Sequence, residues 1–119
     1  MDTVFIEHLE VQAEIGVYAW ERGTRRTLWF DIEMAFDNTV PAATDEVAHT
    51  VDYATVAERI TAYAGETHFR LLETLAERCA VLLRQEFHVP WLRLKLSKPG
   101  AVVTARAVGV CIERGERPR

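Results

Sequence analysis

Counting by twos along Leu92, Leu94 and Leu96 ends on Lys98, while Arg93, Lys95 and Ser97 take the alternate positions. An extended chain therefore sets Lys98 on the apolar face, at the end of a row of leucines. Pro99 biases residue 98 toward extended backbone, so the parity should hold to the strand end. An ammonium in that place can hold or deliver a proton inside a cleft. The commoner role for a strand-end lysine is to snorkel its ammonium to water, and pattern alone leaves both readings open.

Glu73 follows Leu72 at the start of an amphipathic helical run. An ionised carboxylate only accepts hydrogen bonds and suits two parallel donors on a flat ring. A solvated helix face shared with Glu77 is the simpler account of it. Tyr53 falls just inside the start of another helical run, and Glu21 falls in a connection between two strand-like stretches. Neither residue signals function by itself. The histidines His8, His49, His68 and His88 are scattered, and no His-x-His or Cys-x-x-Cys pair gives metal-ligand spacing. Phosphate-binding glycine loops and a Gly-x-Ser-x-Gly nucleophile turn are also missing.

The elements that must position these residues are legible from periodicity. Residues 9 to 15 alternate strictly, and the pattern extends back through Val4 and Ile6 with a slip of phase near Glu7-His8, which predicts a bulge. Residues 27 to 36 alternate again, with Leu28, Phe30, Ile32, Met34 and Phe36 on one face. The two strands should form an antiparallel hairpin. Residues 37 to 50 read as a loop with a short helical turn around Ala42-Ala43. Asp52 is a credible N-cap for a helix from Tyr53 to about Tyr63. Gly65 to His68 breaks the pattern, and a second helix runs from about Arg70 to Phe87, ended by Pro90. A strand over 92 to 98, a turn at Pro99-Gly100 and a last strand from about Val103 to Ile112 complete the chain. Residues 115 to 119 read as a frayed tail. The order ββααββ predicts a single α+β domain over residues 1 to 119, with a four-stranded antiparallel sheet covered on one face by two helices.

Bulk properties bound the function. A chain of 119 residues is one domain's worth, and a core this small is a candidate for completion by an oligomer interface. A net charge of −4 argues against a nucleic-acid footprint. No apolar run is long enough to span a membrane, and Met1-Asp2-Thr3 does not open a signal peptide, so a cytoplasmic location is the default expectation. Cys79 and Cys111 sit in apolar patterns and read as small buried hydrophobes.

Taken in order, Ile15-Gly16-Val17 with Glu21-Arg22, Thr44-Asp45, Thr50-Val51-Asp52-Tyr53, Leu71-Leu72-Glu73, Lys98-Pro99-Gly100-Ala101, Val108-Gly109-Val110 and Glu113-Arg114 resemble the dihydroneopterin aldolase family of folate biosynthesis. The resemblance covers nearly the whole chain. It implies a tunnelling-fold subunit, in which four sheets close into a barrel and two such rings stack into an octamer, with active sites between neighbouring subunits. It also implies roles. Glu73 accepts from the pterin's 2-amino group and adjacent ring N–H, and the backbone of Leu72 binds beside it. Val51 contacts the ring from the neighbouring subunit. Tyr53 stacks near the ring and donates a proton. Lys98 is the general acid/base, working through ordered water, and Glu21 contacts the hydroxylated side chain.

The implied reaction is retro-aldol cleavage of 7,8-dihydroneopterin, with some epimerisation at C2′. The substrate's own C6=N5 imine accepts the electrons, so neither a Schiff-base lysine, a metal ion nor any other cofactor is implied. An adjacent carboxylate favours a charged ammonium and desolvation a neutral amine, so a water relay would ease direct base action. Three alternatives stand behind this one. A dihydroneopterin triphosphate epimerase would favour added Lys or Arg at the pocket mouth. A metal-dependent pterin enzyme would need clustered histidines. A non-catalytic pterin-binding oligomer would bind without releasing glycolaldehyde.

Overall fold

The computed structural model describes residues 1–118. Strand β1 (Thr3–Ile15) pairs antiparallel with β2 (Arg25–Ala35), and the predicted bulge is present between them. Ile6 faces Ile32 and Leu9 faces Phe30, so Glu7 and His8 together oppose Asp31 alone. His8 takes a left-handed φ of 57° at this point, and its N–H donates to Asp31 Oδ1 at 2.9 Å. The side chain thus satisfies a donor that the ladder releases. The extra residue also moves the buried positions from the even to the odd numbers, so that Val11, Ala13 and Ile15 face the core.

Helix α1 (Thr39–Thr44) is the short helical segment expected around Ala42-Ala43. Helix α2 (Tyr53–Glu66) begins at its predicted cap. Asp52 Oδ1 accepts from the N–H groups of Ala54 (3.1 Å) and Thr55 (3.3 Å), and Oδ2 accepts from the Thr55 hydroxyl. The hydroxyl and these N–H groups hold the Asp52 carboxyl below the ordinary aspartate range. The helix runs through Gly65, one turn further than periodicity suggests, because Arg25 Nη2 binds the Gly65 carbonyl at 3.2 Å.

The expected break at 65–68 conceals a strand. Residues His68–Phe69 form β3, which runs parallel to Glu14 and Ile15 at the end of β1. After helix α3 (Leu72–Glu86) come β4 (Trp91–Pro99) and β5 (Ala107–Gly115). The sheet is therefore five-stranded and mixed, in the order β3-β1-β2-β4-β5, rather than four-stranded and antiparallel. Its last strand starts at Ala107 rather than near Val103, which is 99% exposed in the turn that follows Gly100. Gly115 closes β5, residues 116 to 118 carry no regular structure, and the tail expectation for residue 119 lies outside the described residues.

Helices α2 and α3 pack on one face of the sheet, over the rows Leu28, Phe30, Ile32, Met34 and Leu92, Leu94, Leu96, all essentially without solvent exposure. Each such side chain contributes about 1.5–3 kcal/mol relative to exposure. An ion pair between Arg59 and Glu86 at 2.9 Å ties the two helices at their outer surface. On the uncovered face opposite charges meet across the ladders, Asp31 with Lys95 and Glu33 with Arg93. Cys79 is buried as expected, and burial pushes its thiol up to about 12. Cys111 departs from the expectation: it lies exposed beside Lys95 on the uncovered face, and Arg93 Nε approaches its sulfur at 3.4 Å. Among the described residues no helix is long and apolar enough to cross a membrane.

Candidate active site

The row of leucines on β4 ends as parity requires. Lys98 sits on the helix-covered face at the edge of the core, with its side chain 18% exposed. Its Nζ donates to Glu21 Oε2 at 3.0 Å, across 77 positions of sequence. Glu21 is the last residue of a 3₁₀ turn, Ala19–Glu21, in the connection from β1 to β2. It is only 6% exposed, the one charged residue buried among the described residues. Two donors compensate its carboxylate: Lys98 Nζ, and the backbone N–H of Tyr18 on Oε1 at 3.2 Å. The lysine first, and then that N–H, hold the Glu21 carboxyl below the ordinary range against the opposing effect of burial.

Gly16 makes the room. A Cβ there would fall 2.5 Å from Glu21 Cβ and 2.6 Å from its Cδ. A residue with any side chain at position 16 cannot coexist with this placement of the carboxylate.

A cavity of about 470 Å³ opens in front of the pair. Glu21, Lys98, Leu71, Leu72 and Glu73 line it, together with Gly16, Trp20, Arg26 and Arg70. The floor on one side is the N-terminus of α3. Leu71 occupies the N-cap position and offers no side-chain oxygen, so the first N–H groups of this helix stay available beside Glu73. A flat heterocycle could place its acceptors on those N–H groups and its donors on the Glu73 carboxylate. The volume suits a small, drug-sized ligand.

Four of the six residues singled out from sequence are thus brought to one cavity: Glu21, Leu72, Glu73 and Lys98. The other two are elsewhere in the chain. Val51 is packed in the core, and Tyr53 is 62% exposed at the start of α2. The far end of α2 approaches the cavity side of the sheet through Gly65 and Arg25, and a helix of 14 residues spans about 21 Å. Neither Val51 nor Tyr53 lines the cavity of its own chain.

Arg26 joins the site without having been singled out from sequence. Its guanidinium lies 5.5 Å from the Trp20 ring centroid and borders the cavity. A signal for it exists: Arg26 precedes Leu28, Phe30, Ile32 and Met34 by the same step of two that singles out Lys98. Arg70 and Trp20 have no comparable signal. Among the described residues no group of three or more His, Cys, Asp or Glu side chains is placed to hold a metal ion.

Comparison with known proteins is consistent over nearly the whole length. The FolB family model, described as dihydroneopterin aldolase, matches residues 4–113. The dihydroneopterin aldolase of Escherichia coli (strain K12) is 51% identical over 115 residues, covering 97% of this chain and 94% of that protein. The Haemophilus influenzae dihydroneopterin aldolase is 47% identical, covering 97% and 98%. A crystal structure of the Escherichia coli enzyme in complex with neopterin superposes with a TM-score of 0.94, covering 97% of this chain and 100% of that one.

Proposed function

The chain belongs to the dihydroneopterin aldolase family and is an aldolase of folate biosynthesis, and from that premise we propose how its own residues carry the reaction. The substrate is 7,8-dihydroneopterin. The products are 6-hydroxymethyl-7,8-dihydropterin and glycolaldehyde. The observation that carries the mechanism is the Lys98–Glu21 pair at 3.0 Å, bordering the same cavity as Glu73.

Glu73 accepts the two parallel N–H donors of the pterin's amidine edge, and the first N–H groups of α3, with the backbone of Leu72, receive its acceptors. That docking directs the hydroxylated side chain toward Lys98 and Glu21. Removal of the 2′-hydroxyl proton lets the C1′–C2′ bond break. Its electrons pass to the C6=N5 imine of the ring, so the protein needs only to move protons. Glu21 orients Lys98, and an ordered water relays the 2′-hydroxyl proton to the Lys98 amine, which then returns it to C1′. Proton return to C1′ completes the cleavage. Re-addition of the aldehyde on its other face gives the 2′-epimer, a side activity. No cofactor takes part.

Val51 and Tyr53 join the site from a neighbouring subunit, Val51 against the ring and Tyr53 stacking on it as a proton donor. Their absence from the lining of the cavity in their own chain supports this reading. The sheet edges at β3 and β5 support closure with further copies into a four-subunit ring, stacked as an octamer in the cytoplasm.

The test is incubation with 7,8-dihydroneopterin and analysis of products. Stoichiometric glycolaldehyde and 6-hydroxymethyl-7,8-dihydropterin, unaffected by a strong chelator, are expected. Tight binding of the pterin with no glycolaldehyde would identify a binding module instead.

A further inference from the structure

The connection that carries Glu21 is held from both faces of the sheet. Two hydrogen bonds tie residues 17–23 to strands: Lys98 Nζ donates to Glu21 Oε2, and the Gly23 N–H donates to Glu14 Oε1. Glu14 alternates along β1 with Ala13 and Ile15, which face the core, so its side chain stands on the face opposite to Lys98. Gly23 takes a left-handed φ of 76°, which suits glycine, and the chain turns back toward β1 there. The other Glu14 oxygen, Oε2, accepts from His68 Nδ1 at 2.7 Å. His68 lies directly across from Glu14 in the β1–β3 register. Arg25 lies across from it on β2, but that guanidinium is engaged with the carbonyls of Gln12 and Gly65. The Gly23 N–H, and after it His68, hold the Glu14 carboxyl below the ordinary range against the effect of burial. An ionised carboxylate offers acceptors only, so it takes both donors at once. These donors belong to the two segments that build the site. Gly23 follows Glu21 by two residues, and His68 precedes Leu72 by four and Glu73 by five. Beside His68, the Phe69 carbonyl accepts from the Gly16 N–H at 3.3 Å, so β3 also holds the glycine that makes room for Glu21.

We propose that Glu14 is a positioning residue for the reaction: its carboxylate joins the Glu21 connection to the strand that leads into Leu72 and Glu73, and so sets the spacing between the proton-moving pair and the ring-binding carboxylate. This inference rests on the aldolase reading and deepens it. Glu14 does not line the substrate cavity, so it acts through the residues it holds. Its two bonds act on different quantities. Loss of the Gly23 bond frees the connection, and a Glu21 carboxylate displaced from Lys98 lowers kcat. Loss of the His68 bond frees the approach to α3, and a shifted Glu73 raises KM.

The experiment measures kcat and KM for 7,8-dihydroneopterin in the wild type, Glu14→Ala, Glu14→Gln, His68→Ala and the Glu14→Ala/His68→Ala double variant. Amide hydrogen exchange at Gly23 gives a readout independent of turnover. Glu14→Ala should lower kcat about tenfold, raise KM about threefold and speed exchange at Gly23. Glu14→Gln keeps an oxygen for the Gly23 N–H and should recover most of kcat. His68→Ala should raise KM about threefold with kcat within about twofold of the wild type. The double variant should match Glu14→Ala, because His68 acts only through the carboxylate already lost. Wild-type kcat in Glu14→Ala, or a Glu14→Gln variant no better than Glu14→Ala, would overturn the proposal while leaving the aldolase reading in place. So would a double variant in which the two losses simply multiply. A wild type that cleaves no 7,8-dihydroneopterin refutes the aldolase reading, and the proposal with it, whatever the exchange at Gly23.

Discussion

Gly16 and Glu21 occupy one space: the hydrogen at position 16 stands where a Cβ would meet the Glu21 Cβ at 2.5 Å and Oε2 at 2.8 Å. The backbone at Gly16 is not left-handed, so alanine is conformationally permitted and the contact alone decides its effect. Gly16→Ala should displace the Glu21 carboxylate from Lys98 while leaving the sheet intact. A displacement near 1 Å can cost about 100-fold in rate. Steady-state kcat beside the far-ultraviolet circular dichroism spectrum checks this. A fully active variant would show that the carboxylate's position does not matter.

Lys98 and Glu73 should separate in kinetics. Lys98→Ala removes the proton carrier and should lower kcat by about 10²–10⁴ with substrate binding largely kept. Glu73→Gln turns one acceptor into a donor and should act mainly on binding, by about 1.5–3 kcal/mol, or roughly 10–100-fold in Kd for the pterin. Turnover of Lys98→Ala at the wild-type rate would sink the assignment.

The pair also has a signature in stability against pH. The folded Glu21 carboxyl lies below its reference value of 4.5, chiefly because Lys98 donates to it. A depressed carboxyl contributes stability that is present above the unfolded value and is lost as pH falls through the folded one. Lys98→Met removes the main cause and leaves the Tyr18 N–H to oppose burial, so the carboxyl moves back up toward its reference value. The Tm gap between wild type and Lys98→Met should therefore be widest at neutral pH and narrow as pH falls below 4.5 through the lowered wild-type value. A gap that is constant with pH would contradict the pairing.

Phe30 is fully buried between the sheet and the helices and borders no chemistry. Phe30→Ala should cost about 3–5 kcal/mol through lost burial and a residual cavity. Urea denaturation measures this. A loss under 1 kcal/mol would mean that the core collapses around the gap.

Strand phase and capping chemistry are legible in the amino-acid sequence itself. The doubled Glu7-His8 step, the Asp52 cap and the leucine row ending on Lys98 are local patterns, and each occurs in the fold. What escapes a sequence depends on partners far along the chain. Strand β3 has two residues and exists only because the end of β1 lies beside it. The burial of Glu21 depends on an absent Cβ at position 16 and an ammonium 77 positions away. No pattern distinguishes Glu73 from a solvated helix residue, and only the uncapped start of α3 places it at the cavity. Arg26 is the exception, because the parity that exposes Lys98 applies to it equally.

The place of Tyr53 has a consequence for heterogeneous assemblies. One chain carries Lys98 at its cavity and Tyr53 at the start of α2, outside the lining of that cavity. With the site shared between neighbours, damage to the two residues falls in different sites when two chains are mixed. Lys98→Ala chains and Tyr53→Phe chains, each impaired alone, should complement one another after subunit exchange, because some junctions then pair an intact Lys98 with an intact Tyr53. Activity of the mixture above that of either parent is the expected result, and strictly additive activity would place Tyr53 outside the shared site.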